Sequence, residues 1–320
     1  MGEWRQDILG EGFEQQTLPL GDDAEGEVVA TLVRSRPHPG ARLFGDLRDT
    51  DVLYVHGWSD YFFQTDLARF FTDRGARFYA LDLRKYGRSL RPGQAPGYIA
   101  ALDVYDADIG AALDAMATKQ ENRRLLLLGH STGGLTLTLW AARHPGVADA
   151  LVLNSPWLEL QLGPLGRQAL APIVNARARF DPLGTHPVVD LGFYTRAQRD
   201  LGTLPESPEG WRPPQGFPTH PGWLAAIIAG HARVASGVDV GCPALVLLSA
   251  RSTPALTWND AMRETDSVLV VDDIARSATR IARTVTIARI DGALHDVFLS
   301  APDARARAFG ALAAWTRGLA

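Results

Sequence analysis

The sequence predicts an α/β fold: a mostly parallel, doubly wound sheet with a segment inserted past its midpoint. Three observations carry this. Short, continuously apolar runs alternate with stretches whose apolar residues recur at helical spacing. Continuous apolar runs are what strands buried on both faces need, and strand–helix alternation produces parallel pairing. Between about residues 156 and 240 the alternation stops, and prolines and glycines accumulate, as in "PESPEGWRPPQGFPTHPGW".

The elements follow in order. "QQTLPLGDDAEGEVVATLVRS" (15–35) reads as two early strands around an Asp-rich turn. "TDVLYVHGW" (50–58) is an apolar strand ending at Gly57, and "QTDLARFFTDRGA" (64–76) a helix that stops at Gly75. "RFYALDLR" (77–84) is the next strand. "DVYDADIGAALDAMATK" (103–119) is a helix with Ile109, Leu113 and Met116 on one face. "RRLLLLG" (123–129) is a strand, "GGLTLTLWAARHP" (133–145) a helix ended by Pro145, and "DALVLNSP" (149–156) another strand. The insertion carries two helix-capable pieces, "RQALAPIVNARARF" and "WLAAIIAGHARV", and its tryptophans require packing partners. The alternation then resumes with strand "CPALVLLSA", helix "DDIARSATRIA", strand "RTVTIARI" and a closing helix from residue 301. The expected domains are a core of residues 1–155 and 241–320 and an inserted cap of residues 156–240.

Composition narrows the function classes. The chain has 320 residues, 46% hydrophobic and 21% charged, which suits a large single core without staples. A net charge of −4, spread along the chain, disfavours nucleic acid or an anionic membrane as an obligatory partner. The single cysteine, Cys242, has no ligand cluster around it and reads as structural. The amino-terminal segment lacks the basic start and apolar stretch of a signal peptide, and its Gln6 argues against myristoylation. No apolar run approaches the roughly 18 residues of a membrane span. The expectation is a cytoplasmic protein without an integral membrane segment, metal or cofactor, its oligomeric state left open.

Functional groups of a parallel sheet collect at the carboxyl ends of its strands. There "GHSTG" (129–133) fits the G-x-S-x-G elbow, which exposes a nucleophilic serine on a tight strand-to-helix turn. Side chains two residues before and after Ser131 would collide, so both positions favour glycine. The bland alternative is a buried strand ending in a glycine-rich turn. A serine hydroxyl needs a base within hydrogen-bond reach, and His295, after the last strand, is the candidate. His231 falls in the insertion, His144 caps a helix beside Pro145, and His130 occupies the variable elbow position.

Together "VHGW", "LDLRKYGRS", "LGHSTGG" and "GALHDVFLS" resemble the α/β-hydrolase fold, in its monoacylglycerol-lipase-like and lysophospholipase-like branch, related to serine aminopeptidases. The resemblance covers about residues 25–155 and 243–320. It implies a chain order of serine, acid, histidine, which Ser131, Asp266 and His295 follow. No acid occurs in "SARSTPALTW", so an extra loop precedes the acid; "DSVLVVDD" points to Asp266, with Asp272 and Asp260 as rivals. Oxyanion donors are expected from the backbone N–H groups of Thr132 and Trp58. Trp58, Trp157 and Phe193 are candidate pocket residues. Leu158, Trp211, Phe217 and Trp223 are further wall candidates, or else the cap's own core. The resemblance implies that "LDLRKYGRS" supports the site from behind; Arg84, Lys85 and Arg88 are expected to be surface charges without catalytic roles.

The expected activity is cleavage of an acyl ester, as in a carboxylesterase, monoacylglycerol lipase or lysophospholipase, on a small-molecule or lipid-like substrate. Acyl transfer or perhydrolysis from the same acyl-enzyme is the main alternative; peptide hydrolysis and a non-enzymatic receptor are weaker ones.

Overall fold

The computed structural model describes residues 3–117, 121–185 and 190–319; part of the expected helix end at 117–119, residues 186–189 of the expected cap and Ala320 lie outside them. In chain order the elements are β1 (Arg5–Gln6), β2 (Glu14–Asp23), β3 (Gly26–Ser35), α1 (Pro39–Phe44), β4 (Thr50–Val55), α2 (Thr65–Thr72), β5 (Arg77–Asp82), α3 (Tyr105–Met116), β6 (Arg124–His130), α4 (Thr132–Arg143) and β7 (Ala150–Asn154). There follow α5 (Gly163–Phe180), α6 (Phe193–Asp200), α7 (Pro221–Ala235), β8 (Ala244–Ser249), α8 (Val271–Ala278), β9 (Val285–Ile290) and α9 (Pro302–Arg317).

The strands form one nine-stranded sheet in the order β1-β2-β3-β5-β4-β6-β7-β8-β9. Pairing from β1 to β3 and from β3 to β5 is antiparallel, and every pair from β5 through β4 to β9 is parallel. The α/β-hydrolase fold expected from the motifs is the fold observed.

Strand periodicity divides the core. Leu125 and Leu127 point into one cluster with Ile109, Leu135, Trp140 and Ile274, so α3, α4 and α8 cover that face. Leu126 and Leu128 point into the other with Leu67, Phe71, Ala308 and Leu312, beneath α2 and α9. All four leucines are at most 3% exposed, and each contributes roughly 1.5–3 kcal/mol by leaving water. On the expected face of α3, Ile109 and Met116 are buried and Leu113 half-buried. Glycine stops α2 as expected: Gly75 takes φ +93°, a conformation costly for other residues.

Between β7 and β8 the described residues form three helices and no strand. These helices differ sharply. Nine of the 15 residues of α7 are buried, and Trp223 and Ile227 join the main core cluster. In α5 only Arg167 and Val174 of 18 residues are buried, while Leu165, Ile173 and Phe180 are 82%, 68% and 88% exposed.

Candidate active site

Ser131 directly follows β6 and precedes α4, with φ 50° and ψ −116°. That conformation is strained for a residue with a side chain, and held strain concentrates at functional sites. The surrounding glycines explain how it persists. A Cβ on Gly129 would stand 2.7 Å from the Gly134 Cα and 2.8 Å from the Gly133 oxygen. A Cβ on Gly133 would run into the carbonyl oxygens of Val55 and His56, on β4 and its exit, rather than into Gly129. The sharp turn therefore requires glycine on both sides, for two different contacts. Ser131 N–H donates to Asn154 O at 3.0 Å, and Ser131 O accepts from Trp157 N–H at 2.9 Å, which ties the elbow to the exit of β7.

His295 lies in the loop after β9, its ring 4.9 Å from that of His130, the neighbour of Ser131. His295 Nδ1 is 2.9 Å from Asp266 Oδ2. A carboxylate only accepts, so Nδ1 carries the proton and Nε2 is left as the acceptor. The other Asp266 oxygen accepts from the N–H groups of Val268 (2.7 Å) and Leu269 (2.8 Å), so the acid is fixed as well as buried. Its rivals are engaged elsewhere: Asp272 pairs with Arg289 at 2.7 Å and Asp260 with Arg263 at 2.5 Å. No hydrogen bond joins Ser131 Oγ to His295 among the described residues; in substrate-free enzymes such contacts are often long and tighten only around the substrate.

The β4 exit crosses directly over the elbow. A Cβ on Gly57 would be 3.0 Å from Ser131 Cβ and 3.1 Å from His130 Cδ2. His56 Nδ1–H donates to Gly57 O at 2.7 Å, and its Nε2 accepts from Leu83 N–H at 3.1 Å, so the ring is neutral and locks the turn. Burial lowers the His56 pKa, consistent with that neutral form. The N–H groups of Trp58 and Thr132, the expected oxyanion donors, have no hydrogen-bond acceptor among the described residues. Thr132 opens α4, where the helix dipole also favours negative charge.

Aromatic side chains roof the site. Trp58 packs against Trp223 with ring centroids 3.8 Å apart, and edge-on against Phe217 at 5.7 Å. Trp157 lies 6.0 Å from Trp223 and 5.2 Å from His231. Leu158, Phe217 and Trp223 are core residues continuous with the sheet's packing. Trp211 packs on Tyr61, at 5.2 Å. Phe193 does not join Trp58 and Trp157: its ring meets Trp258 at 6.0 Å. The neighbouring Tyr194 instead turns inward, edge-on to His295 at 5.5 Å and 86°.

The expectation that Arg84, Lys85 and Arg88 are surface charges is corrected: their side chains are 11%, 4% and 2% exposed. Arg88 bridges Asp7 and Asp82 and donates to Phe62 O at 3.0 Å; Lys85 pairs with Asp23 and Glu25; Arg84 pairs with Asp108. Buried charges require such partners, and those partners lie up to 81 residues away in the chain. His144 caps α4, its Nδ1–H donating to Trp140 O at 2.9 Å, and Cys242 is half-buried, its thiol pushed up to about 11 by burial.

Sequence reasoning missed a second buried acid, Asp296. Its Oδ1 accepts from Asn154 Nδ2 (2.7 Å) and Phe298 N–H (3.0 Å), and its Oδ2 from Gln64 Nε2 (3.2 Å). Its place beside His295 in "LHDVF" was the available signal. Among the described residues no group of three His, Cys, Asp or Glu side chains is arranged to hold a metal, and no helix is long and apolar enough to cross a membrane.

Residues 48–199 match the family described as serine aminopeptidase, S33. A monoacylglycerol lipase of Mycolicibacterium smegmatis is 31% identical over 124 residues, 37% of this chain and 43% of that one. Lysophospholipase L2 of Escherichia coli is 36% identical over 78 residues, 24% of this chain and 23% of that one. The chain thus spans less than half the length of each of these relatives. Among solved structures, a Saccharomyces cerevisiae monoglyceride lipase gives TM-score 0.67 at 15% identity, covering 100% of this chain and 99% of that one. A Paleococcus ferrophilus monoacylglycerol lipase gives 0.64 at 17% identity, covering 87% and 97%. Identities this low establish the fold. The matched family, the local relatives and the nine-stranded sheet agree on the α/β-hydrolase fold.

Proposed function

We propose that the chain is a serine hydrolase of carboxylic esters, with Ser131 as nucleophile, His295 as base and Asp266 as the acid that orients it. The observation that carries the reading is the fixed His295–Asp266 hydrogen bond of 2.9 Å, in a ring-to-ring contact with the neighbour of a strained Ser131. Ser131 Oγ attacks the ester carbonyl carbon while its proton passes to His295 Nε2. The carbonyl oxygen becomes an oxyanion, which the N–H groups of Trp58 and Thr132 stabilise, each by roughly 3–4 kcal/mol. Collapse expels the alcohol, protonated by His295, and leaves an ester on Ser131. Water, deprotonated by His295, then attacks the acyl carbon and releases the acid.

In this reading residues 1–155 and 241–320 are the catalytic core and residues 156–240 the cap. Trp58 and Trp157, both only partly buried, favour an apolar acyl or aromatic group. Monoacylglycerols and lysophospholipids are the substrates to test first, given the names of the relatives. A chain-length series of nitrophenyl esters, assayed beside these lipids, tests the proposal. Turnover that disappears in Ser131→Ala is expected. Undiminished turnover in that variant contradicts the reading, and product esters or peracids formed with an alcohol or peroxide acceptor redirect it to acyl transfer.

A further inference from the structure

We infer that the cap holds the catalytic base in place: Tyr194, Gln198 and Arg212 form a buried strut from Asp60, beside the oxyanion loop, to the backbone of Asp296, beside His295. The inference rests on the proposed serine-hydrolase reading and extends it to residues outside the triad.

The strut is continuous. Arg212 Nε donates to Asp60 Oδ1 at 3.0 Å, with both side chains no more than 8% exposed. Arg212 Nη2 donates to Gln198 Oε1 at 2.6 Å, and Gln198 Nε2 donates to Tyr194 OH at 3.0 Å. Tyr194 OH also accepts from the Asp296 N–H at 3.2 Å. Gln198 is fully buried, four residues after Tyr194 on the same face of α6. Arg212 further sits over the rings of Phe63 and Tyr194, at 5.8 and 6.0 Å. Asp60 lies two residues beyond Trp58, and Asp296 is the residue after His295. The two ends of the strut are therefore attached to the two loops whose separation sets the reaction geometry.

A second bridge runs beneath it, inside the core. Gln64 and Asn154 both donate to the Asp296 carboxylate, and Val297 N–H donates to Asn154 Oδ1 at 3.1 Å. The His295 loop is thus gripped from below by the core and from above by the cap. The edge of Tyr194 against the imidazole limits the ring's tilt about the Asp266 hydrogen bond. Buried hydrogen-bonded networks of this kind resist displacement, because each broken link leaves a desolvated partner. A lid that lifted as one body would break the strut, so this part of the cap stays docked through turnover. Tyr194 and Arg212 are positioning residues rather than groups that touch the reacting atoms.

Steady-state kinetics of the full chain on a short-chain nitrophenyl ester provide the test, using Tyr194→Phe, Arg212→Gln, Arg212→Lys and the pair Asp60→Asn with Arg212→Gln. A displacement near 1 Å costs on the order of 100-fold, so Tyr194→Phe and Arg212→Gln are expected to lower kcat about 10- to 100-fold with KM nearly unchanged. Arg212→Lys, which keeps the charge, is expected to recover part of the loss. The Asp60→Asn and Arg212→Gln effects are expected to be strongly non-additive, as for links of one chain. If Arg212→Gln does not fold, Gln198→Met cuts the same strut one link closer to Tyr194. Tyr194→Phe and Arg212→Gln retaining kcat within twofold, while Ser131→Ala is inactive, overturns the inference and leaves the hydrolase reading standing. Activity in Ser131→Ala overturns the reading beneath it instead.

Discussion

The floor and the roof of this site are built by different means. The floor, from β6 through Ser131 into α4, is set by the main chain: glycines at 129 and 133 exist because neighbouring backbone leaves no room for a Cβ. The roof is set by side chains that meet across long stretches of sequence, 152 residues for Arg212 and Asp60 and 102 for Tyr194 and Asp296. The proposed cap repeats the contrast on a smaller scale. Helix α7 is welded into the core, whereas α5 turns Leu165, Ile173 and Phe180 to the outside. The lesson is that the proposed nucleophile is located by sterics and the proposed base by polar contacts.

The comparison is most exposed to failure at the acid. Asp266→Asn favours the wrong imidazole tautomer and is expected to lower kcat by about 10^4-fold. Asp272→Asn and Asp260→Asn, which break only exposed pairs, are expected to stay within twofold; steady-state kinetics of the three variants decide. A large loss at Asp272 or Asp260 with none at Asp266 would reassign the acid.

Within residues 156–240, Trp223→Ala is expected to cost about 3–5 kcal/mol by opening a void in the main core. Ile173→Ser on α5 is expected to stay within about 0.5 kcal/mol, as for a surface change. Urea unfolding of both separates the welded helix from the outer one, and equal losses would erase the distinction. For the floor, Gly133→Ala is expected to cost about 1–3 kcal/mol by overpacking against the Val55 and His56 carbonyls, read from the same transition.

A further effect concerns pH. Burial lowers the His231 pKa from its ordinary 6.5 to about 3, and its Nε2–H donates to Trp157 O at 2.9 Å. Below about pH 6.5 the unfolded chain therefore binds a proton that the folded chain refuses, and stability falls as pH drops toward 3; above pH 6.5 the group has no effect. Between pH 7.5 and 5.5 this amounts to about 1.4 kcal/mol. His231→Gln, whose amide can still donate to Trp157 O, is expected to lose that much less than the wild type over the same interval. Equal losses in urea titrations at the two pH values would show that His231 is not the group responsible.

What was legible in the sequence follows the same division. The strand–helix alternation and the elbow were readable because period and glycine spacing are local properties. The chain order of serine, acid and histidine brought Asp266 forward despite the long loop after β8, and the loop's twist back to β8, with Ser252 bridged to Asp266, was not readable. Short elements escaped for want of periodicity: β1 has two residues and α1 six. Arg88 looked like a solvated charge because its partner Asp7 lies 81 residues earlier. Phe193 was named where Tyr194 reaches His295, since one residue on a helix is a rotation of about 100° and no local pattern fixes its phase in so short a helix.

The central claim is that Ser131 is an activated nucleophile served by His295. Its most direct measurement is intact-mass and peptide mapping after brief exposure of the full chain to a fluorophosphonate. The account predicts one adduct per chain, on the peptide bearing Ser131, formed far more slowly in His295→Ala and absent in Ser131→Ala. An unlabelled wild type, or an adduct on another residue that persists in Ser131→Ala, would contradict it.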